Sequence, residues 1–288
     1  MIKRLSVLLI IMSTILVACS VSDLESWLIE DSAKVVPVVN GEAIYHFLDV
    51  GQGDSTLIQS NEATILIDTG RHDSDVIFEY LNQLGVIEID LLILTHPHAD
   101  HIGNADQIIR QYRPSEVWMD GNQASSKTFE LLVDALIETD TDVVEARSGL
   151  DVEVGDFLIE IIHPTHLTGD FNNDSISGMI TYGELRFLFT GDAEERSEFE
   201  MLDSGFDLEA DIFKVGHHGS STSNTREFLE AVNPEIGIYS ASENNSYGHP
   251  HIEVESLFNE LGIEFLGTAE HGTIKIVTDG ENYTVELE

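Results

Sequence analysis

Basic residues are scarce in this sequence: 13 Lys and Arg stand against 53 Asp and Glu in 288 residues, a formal net charge of −40 at pH 7. No basic stripe can be traced, which excludes a surface that grips a long polyanion by counterion release alone. Such an acidic surface repels itself and any polyanion at low salt. At about 1 M salt the Debye length falls to ~3 Å and that repulsion nearly vanishes, so the composition suits a salt-rich habitat. Cysteine is nearly absent. Cys19 stands alone, so no intramolecular disulfide can form. There is no repeat of fixed period, and no apolar run of about 20 residues follows the N-terminus.

What the N-terminus does contain is an apolar run, "LSVLLIIMSTILVA" (5–18), preceded by Lys3 and Arg4. It has signal-peptide length and is short for a membrane span. It ends in "LVAC", which resembles a bacterial lipobox. The resemblance implies cleavage before Cys19 and lipid on that residue. Removal of the two positive charges takes the remainder to −42. The expectation is a leader over 1–18, a lipidated Cys19 with a tether over 19–41, and one domain over 42–288. The protein would sit outside the cytoplasmic membrane of a bacterium, touching it through the lipid anchor only.

The domain reads as strands and helices in two successive sets. "AIYHFLDV" (43–50) and "ATILIDTG" (63–70) read as strands broken by "GQGDS". Residues 73–85 carry apolar positions at helical spacing, closed by Gly85. "IDLLILT" (89–95) is a fully apolar strand, as expected when both faces are covered. A second mixed set follows from residue 150. Two sheets face to face with helices outside satisfy this order: an α/β, four-layer αββα sandwich.

"LTHPHADHIGN" (94–104) concentrates metal-binding chemistry in one turn. His96 and His98, two apart in extended backbone, point to one side and can hold one ion. Asp100 and His101 can face a second. Imidazole and carboxylate suit zinc, manganese or iron. Gly103 lets the following helix start close by.

The pattern H-x-H-x-D-H is similar to the signature of the metallo-β-lactamase superfamily of dinuclear hydrolases. The resemblance extends to "LFTGD", whose Asp192 stands where a carboxylate bridges both ions. It extends to "FKVGHHGS" with the last histidine, and to "ILIDTG", whose Asp68 would support the histidines from behind. Together with "FLDVGQGDS", "NNDSIS" and "YGHP", these segments resemble the metallohydrolase domain of ComEC-type DNA-uptake proteins, which adjoins a multi-pass membrane channel there. The resemblance implies His96, His98, Asp100, His101, Asp192 and His218 as ligands of two divalent ions, zinc or manganese. It implies a water activated between the ions, and hydrolysis of a phosphodiester. One departure stands out. Family members carry a histidine about twenty residues before the bridging aspartate; here "DFNNDSIS" (170–177) has none, and His163 is read as near the site but not in it. The loss of a nitrogen ligand shifts preference toward manganese.

Within the doublet, adjacent side chains in extended backbone diverge, so His218 is read as the ligand and His217 as facing substrate. Asp100, His217 and His249 are the candidate catalytic groups, with His249 protonating a leaving group or holding phosphate. Asn173, Ser175 and Ser220 are candidate substrate contacts. Arg71, Arg110, Arg113, Lys214 and Arg226 are the cations that could lie near the site. The expected partner is a phosphodiester, DNA included. Two other readings stand beside it: a hydrolase of carbon esters, thioesters or lactams, and a lipid-anchored binding protein with a dead site.

Overall fold

The computed structural model describes residues 41–288. The leader, Cys19 and all but the last residue of the tether lie outside the described residues. The chain opens with β1 (Ala43–Phe47), β2 (Thr56–Gln59), β3 (Thr64–Ile67), α1 (Val76–Gln83), β4 (Leu91–Leu94), α2 (Ala105–Tyr112), β5 (Glu116–Met119), α3 (Lys127–Thr139) and β6 (Asp142–Glu145). It continues through β7 (Asp151–Val154), β8 (Phe157–His163), β9 (Ser177–Tyr182), β10 (Leu185–Phe189), α4 (Glu195–Leu202), β11 (Ile212–Lys214), α5 (Arg226–Val232) and β12 (Ile236–Tyr239). Last come α6 (Ile252–Leu261), β13 (Glu264–Gly267), a short α7 (Thr268–His271), β14 (Ile274–Thr278) and β15 (Tyr283–Leu287).

The strands form two sheets, one ordered β15-β14-β1-β2-β3-β4-β5-β6 and the other β13-β12-β11-β10-β9-β8-β7. Side chains alternate across each strand, and the alternation sorts the core into three layers. In β4, Leu91 and Ile93 enter the layer between the sheets, while Leu92 and Leu94 pack with Ile77, Leu81, Ile108 and Leu132 of α1, α2 and α3. In the second sheet Phe187 and Phe189 of β10 face inward, while Leu188 packs outward with Phe213, Phe228 and Phe258. This is the four-layer αββα sandwich expected from the sequence. The apolar run "IDLLIL" is apolar throughout because both of its faces are covered.

The central layer is aromatic. Phe187 meets Tyr45 and Phe47 edge to face, with centroids 5.4 and 5.6 Å away, an arrangement that adds to simple area burial.

His46 in β1 is a titratable group inside this frame. It is buried, and Lys275 stands opposite it on β14. Burial, then the Lys275 charge, push its pKa down to about 4 from 6.5, against a smaller opposing pull from Glu286. The unfolded chain therefore binds a proton on His46 between pH 6.5 and 4 that the folded chain refuses, and stability falls as pH drops through that window. The difference is worth roughly 3 kcal/mol. Urea melts of wild type and His46→Leu at pH 7 and pH 4 should show wild type losing about that much more than the variant; equal losses would refute the assignment.

Candidate metal centre

The parallel strands of both sheets (β3 to β6, and β10 to β13) end at the same edge of the sandwich, and the site is built from the turns that follow them. Asp68 follows β3, Thr95 to His101 follow β4, Asp192 follows β10, His217 and His218 follow β11, and Ser240 follows β12. Carboxyl ends of parallel strands are where open α/β sheets place their ligands. Two glycines allow the turns to close on one another. A Cβ on Gly103 would lie 2.2 Å from the His72 nitrogen, and one on Gly53 would lie 2.7 Å from the Asp100 carbonyl oxygen.

Three histidines have their Nδ1 atoms engaged by the fold, which turns Nε2 inward. His101 Nδ1 donates to Asp68 Oδ2 at 2.8 Å, and His218 Nδ1 donates to the Ser240 carbonyl at 3.0 Å. Thr95 Oγ1 donates to Asp68 Oδ2 and accepts from His96 Nδ1 at 3.1 Å. The inward Nε2 atoms converge on Asp192. His101 Nε2 is 3.3 Å and His218 Nε2 3.8 Å from Oδ1, and His96 Nε2 is 3.6 Å from Oδ2. His98 Nδ1 lies 2.9 Å from His96 Nε2. Two donor groups result, Asp54 with His101, Asp192 and His218, and His96 with His98 and Asp192; within each group the ligand atoms all lie within 4.8 Å of one another.

The donor chemistry fits divalent cations. His101 Nε2, His218 Nε2 and Asp192 Oδ1 are fully buried, aimed at one point, and have no hydrogen-bond partner among the described residues. Buried polar atoms are normally satisfied, so three orphans facing each other mark the place of a cation. The electrostatics agree. Burial opposes charge on every one of these groups, yet His101, His218 and His96 together hold the Asp192 carboxyl well below its usual range. Burial also opposes the charge on His101 and His218, but Asp192 with Asp68, and Asp192 with Asp54, raise them. His96 is pushed well down, by burial first and then by His101. His98 is lowered by burial. Neutral His96 and His98 beside an ionised Asp192 match the protonation a metal requires of its ligands, whereas His101 and His218, whose charge the carboxylates favour, would each release a proton on binding one.

Asp54 is the residue that sequence reasoning missed. It follows the "GQG" turn, is buried, and forms an ion pair with Lys214 at 2.6 Å, with His218 Nδ1 3.9 Å from its other oxygen. Its backbone nitrogen donates to the Asp100 carbonyl, locking the two turns together. The signal was in the sequence, an acid directly after a Gly-x-Gly turn at a strand end, but nothing local tied it to residues nearly fifty positions on. Asp100 was expected beside His101 on the second ion. It stands beside that group, Oδ2 3.7 Å from His218 Nε2, with its carboxylate lining the open cavity. Burial raises its pKa, but His218 and His101 outweigh burial and keep it low.

The doublet is not extended, as its reading assumed. His217 and His218 both adopt left-handed backbone, φ 51° and 55°, inside a tight turn (Gly216–Gly219). The turn is clamped by Asn224, whose side chain binds the Gly216 nitrogen and the Gly216 and Ser220 carbonyls. The outcome is still a division of labour. His218 is buried among the carboxylates, while His217 lines the cavity with Nε2 3.7 Å from Asp192 and Nδ1 3.2 Å from Thr222 Oγ1.

The cavity over this floor has a volume of about 300 Å³, with Gln52, Asn172, His217, Tyr247 and His249 among its walls. None of the three expected substrate contacts lines it. Asn173 is turned toward Glu194 and Ser197. Ser175 accepts a bond from the Asp192 nitrogen, holding that carboxylate from behind. Ser220 is buried against Thr222. Neighbouring Asn172 faces the cavity in their place. His163 Nε2 donates to the Asn173 carbonyl at 2.8 Å, and Asp174 takes bonds from the Thr168 and Gly169 nitrogens. The segment without its histidine is thus a braced loop. His249 lines the cavity, but burial and then the neighbouring histidines push it down to about 4. It is a neutral imidazole near pH 7, which argues against its expected role of giving a proton to a leaving group. Of the five cations, Arg110 pairs with Asp106 and Glu138, and Arg226 with Glu230 and Glu260, on the surface. Arg113 caps α2. Lys214 and Arg71 are the two beside the site.

Residues 48–243 match the family model of the metallo-beta-lactamase superfamily. Over 261 residues the chain is 29% identical to ComE operon protein 3 of Bacillus subtilis, covering 84% of this chain and 34% of that protein. Competence protein ComA of Neisseria gonorrhoeae is 29% identical over 245 residues, covering 83% and 33%. The chain spans about a third of the length of these relatives. Among solved structures, CmlA, a diiron beta-hydroxylase from Streptomyces venezuelae, aligns with a TM-score of 0.57 at 17% identity, over 82% of this chain and 54% of that one. The metallo-beta-lactamase fold protein YhfI from Bacillus subtilis aligns with a TM-score of 0.52 at 16% identity, over 79% and 96%. At these identities the likeness is one of fold.

Proposed function

The chain belongs to the metallo-beta-lactamase superfamily, and from that membership we propose that it is a phosphodiesterase, dependent on two divalent ions, zinc or manganese, and acting on DNA or short oligonucleotides. The observation that carries the reading is the pair of donor groups sharing Asp192 at the floor of an open, polar cavity. The competence proteins among the relatives support a nucleic-acid substrate. We place the protein outside the cytoplasmic membrane, held by lipid on Cys19. Among the described residues no helix is long and apolar enough to cross a membrane.

Divalent ions held by these residues would supply Lewis acidity toward a phosphoryl oxygen and a nucleophile from water at neutral pH. The chain's own groups divide the remaining work. Asp100, ionised and facing the cavity, can accept a hydrogen bond from the attacking water and orient it. His217, braced by Thr222 and 3.6 Å from Glu194, borders the same space and can pass a proton outward. Neutral His249 and Asn172 offer hydrogen bonds to phosphoryl oxygens. With Lys214 committed to Asp54, the cleft offers, among the described residues, no free cation to a long backbone. Short chains and chain ends therefore suit it best.

The test offers purified protein bis-p-nitrophenyl phosphate, single-stranded DNA, a thioester and nitrocefin, with manganese or zinc and with chelator, at low and high salt. Metal-dependent cleavage of the two phosphodiesters is expected. Turnover of the thioester or nitrocefin alone would replace this reading with carbon-ester or lactam hydrolysis, and no turnover of any would favour a binding protein.

A further inference from the structure

A second cavity of about 670 Å³ adjoins the metal centre and shares two walls with it, Gln52 and Tyr247. Its chemistry differs from that of the first. The remaining walls include Arg71, Asp73, Asn244, Asn245 and Ser246, a mixed set of hydrogen-bond donors and acceptors. Tyr247 stands 58% exposed and lines this cavity. Its ring lies parallel to His249, centroids 5.6 Å apart at 20°, and His249 lies parallel to His218 at 6.1 Å and 20°. A ladder of three near-parallel rings therefore runs from the metal centre into the second cavity, with its last face open. Asn245 fixes that ladder, since its side chain binds the Tyr247 and His249 nitrogens and the Ser242 and His249 carbonyls. The exposed ring is thus held by a braced loop.

Resting on the phosphodiesterase reading, we infer that Tyr247 is a stacking platform for the nucleobase next to the scissile phosphate, and that the cavity around Arg71 and Asn244 receives that base. An aromatic face beside a rim of mixed donors and acceptors matches a flat heterocycle with polar edges. The acidic Asp49 and Asp73 in the same walls disfavour a second phosphate, and Arg71 is already paired with Asp73 at 3.0 Å. Stacking on every base alike makes the subsite tolerant of sequence.

The test compares a trinucleotide with its counterpart carrying an abasic site beside the cleaved bond, for wild type, Tyr247→Ala and Tyr247→Phe. Wild type should cleave the base-bearing chain about 10-fold better in kcat/KM. Tyr247→Ala should lose that preference, its kcat/KM on the base-bearing chain falling about 10-fold more than on the abasic one, and Tyr247→Phe should keep it. Binding of uncleavable methylphosphonate versions, followed by fluorescence anisotropy in chelator, should show the same pattern without turnover. Equal treatment of the two chains by wild type, as a sugar-recognising cavity would give, overturns the inference. So does a loss in Tyr247→Ala common to both chains. A wild type that cleaves neither chain but binds the base-bearing one better through Tyr247 would overturn the phosphodiesterase reading and leave the platform standing.

Discussion

Asp192→Asn should strip the protein of bound metal and lower phosphodiester turnover at least about 10³-fold. Asp192 alone belongs to both donor groups, with Oδ1 facing His101 and His218 and Oδ2 facing His96 and His217. Asparagine keeps the shape but presents an NH₂ on one of those two sides. A donor there faces either a bound cation or the N–H of a protonated imidazole, and both contacts are repulsive. The negative charge that holds the site's cations goes as well. The backbone nitrogen of residue 192 would still bind Ser175 Oγ, so the turn after β10 should survive. Metal content by elemental analysis, turnover, and melting temperature in chelator separate the outcomes. Full metal content with full activity would remove Asp192 from the centre. A collapsed melting temperature in chelator would make its role structural.

How much of this was legible beforehand depended on how locally each feature is encoded. The sandwich followed from strands whose alternation is a property of five or six consecutive residues. Leu91 to Leu94 had to be covered on both sides, and a helix-backed sheet facing another sheet does that. The turn from His96 to His101 is contiguous, and Asp192 and His218 follow neighbouring parallel strands, β10 and β11. Three things were not local. Asp54 reaches the site because β1 and β2 lie in the same sheet as β4, so the GQG turn is pressed against Asp100. The roles of His217 and His218 depend on left-handed backbone angles that composition does not announce. Asn173, Ser175 and Ser220 have the right chemistry for substrate but face the wrong way, because each is used inside the fold: Asn173 on Glu194 and Ser197, Ser175 on the Asp192 nitrogen, Ser220 on Thr222.

Lys214→Met is expected to give the largest loss of stability at the site, about 3–5 kcal/mol without metal, and to make the protein more dependent on metal. Lys214 is buried in β11 with Asp54 as its ion-pair partner. Burial raises the Asp54 carboxyl, but Lys214, then His218 and His101, more than offset it and keep it ionised. Methionine fills the volume of the stem and removes the charge, which leaves Asp54 buried with only the histidines to answer it. Breaking one partner of a buried pair is costly because the other is stranded. A cation bound by Asp54, His101, Asp192 and His218 supplies the missing charge. The melting temperature of the variant should therefore rise more steeply with added manganese than that of wild type, by mass action on a site with one more uncompensated carboxylate. The double variant Asp54→Asn/Lys214→Met strands no charge and should recover much of the stability in chelator while losing the metal response. If instead Lys214→Met melts like wild type in chelator, Asp54 is already satisfied without Lys214 and the pair is incidental. If its melting point falls but manganese restores no more than in wild type, Asp54 does not reach the ion, and its donor group reduces to His101, Asp192 and His218.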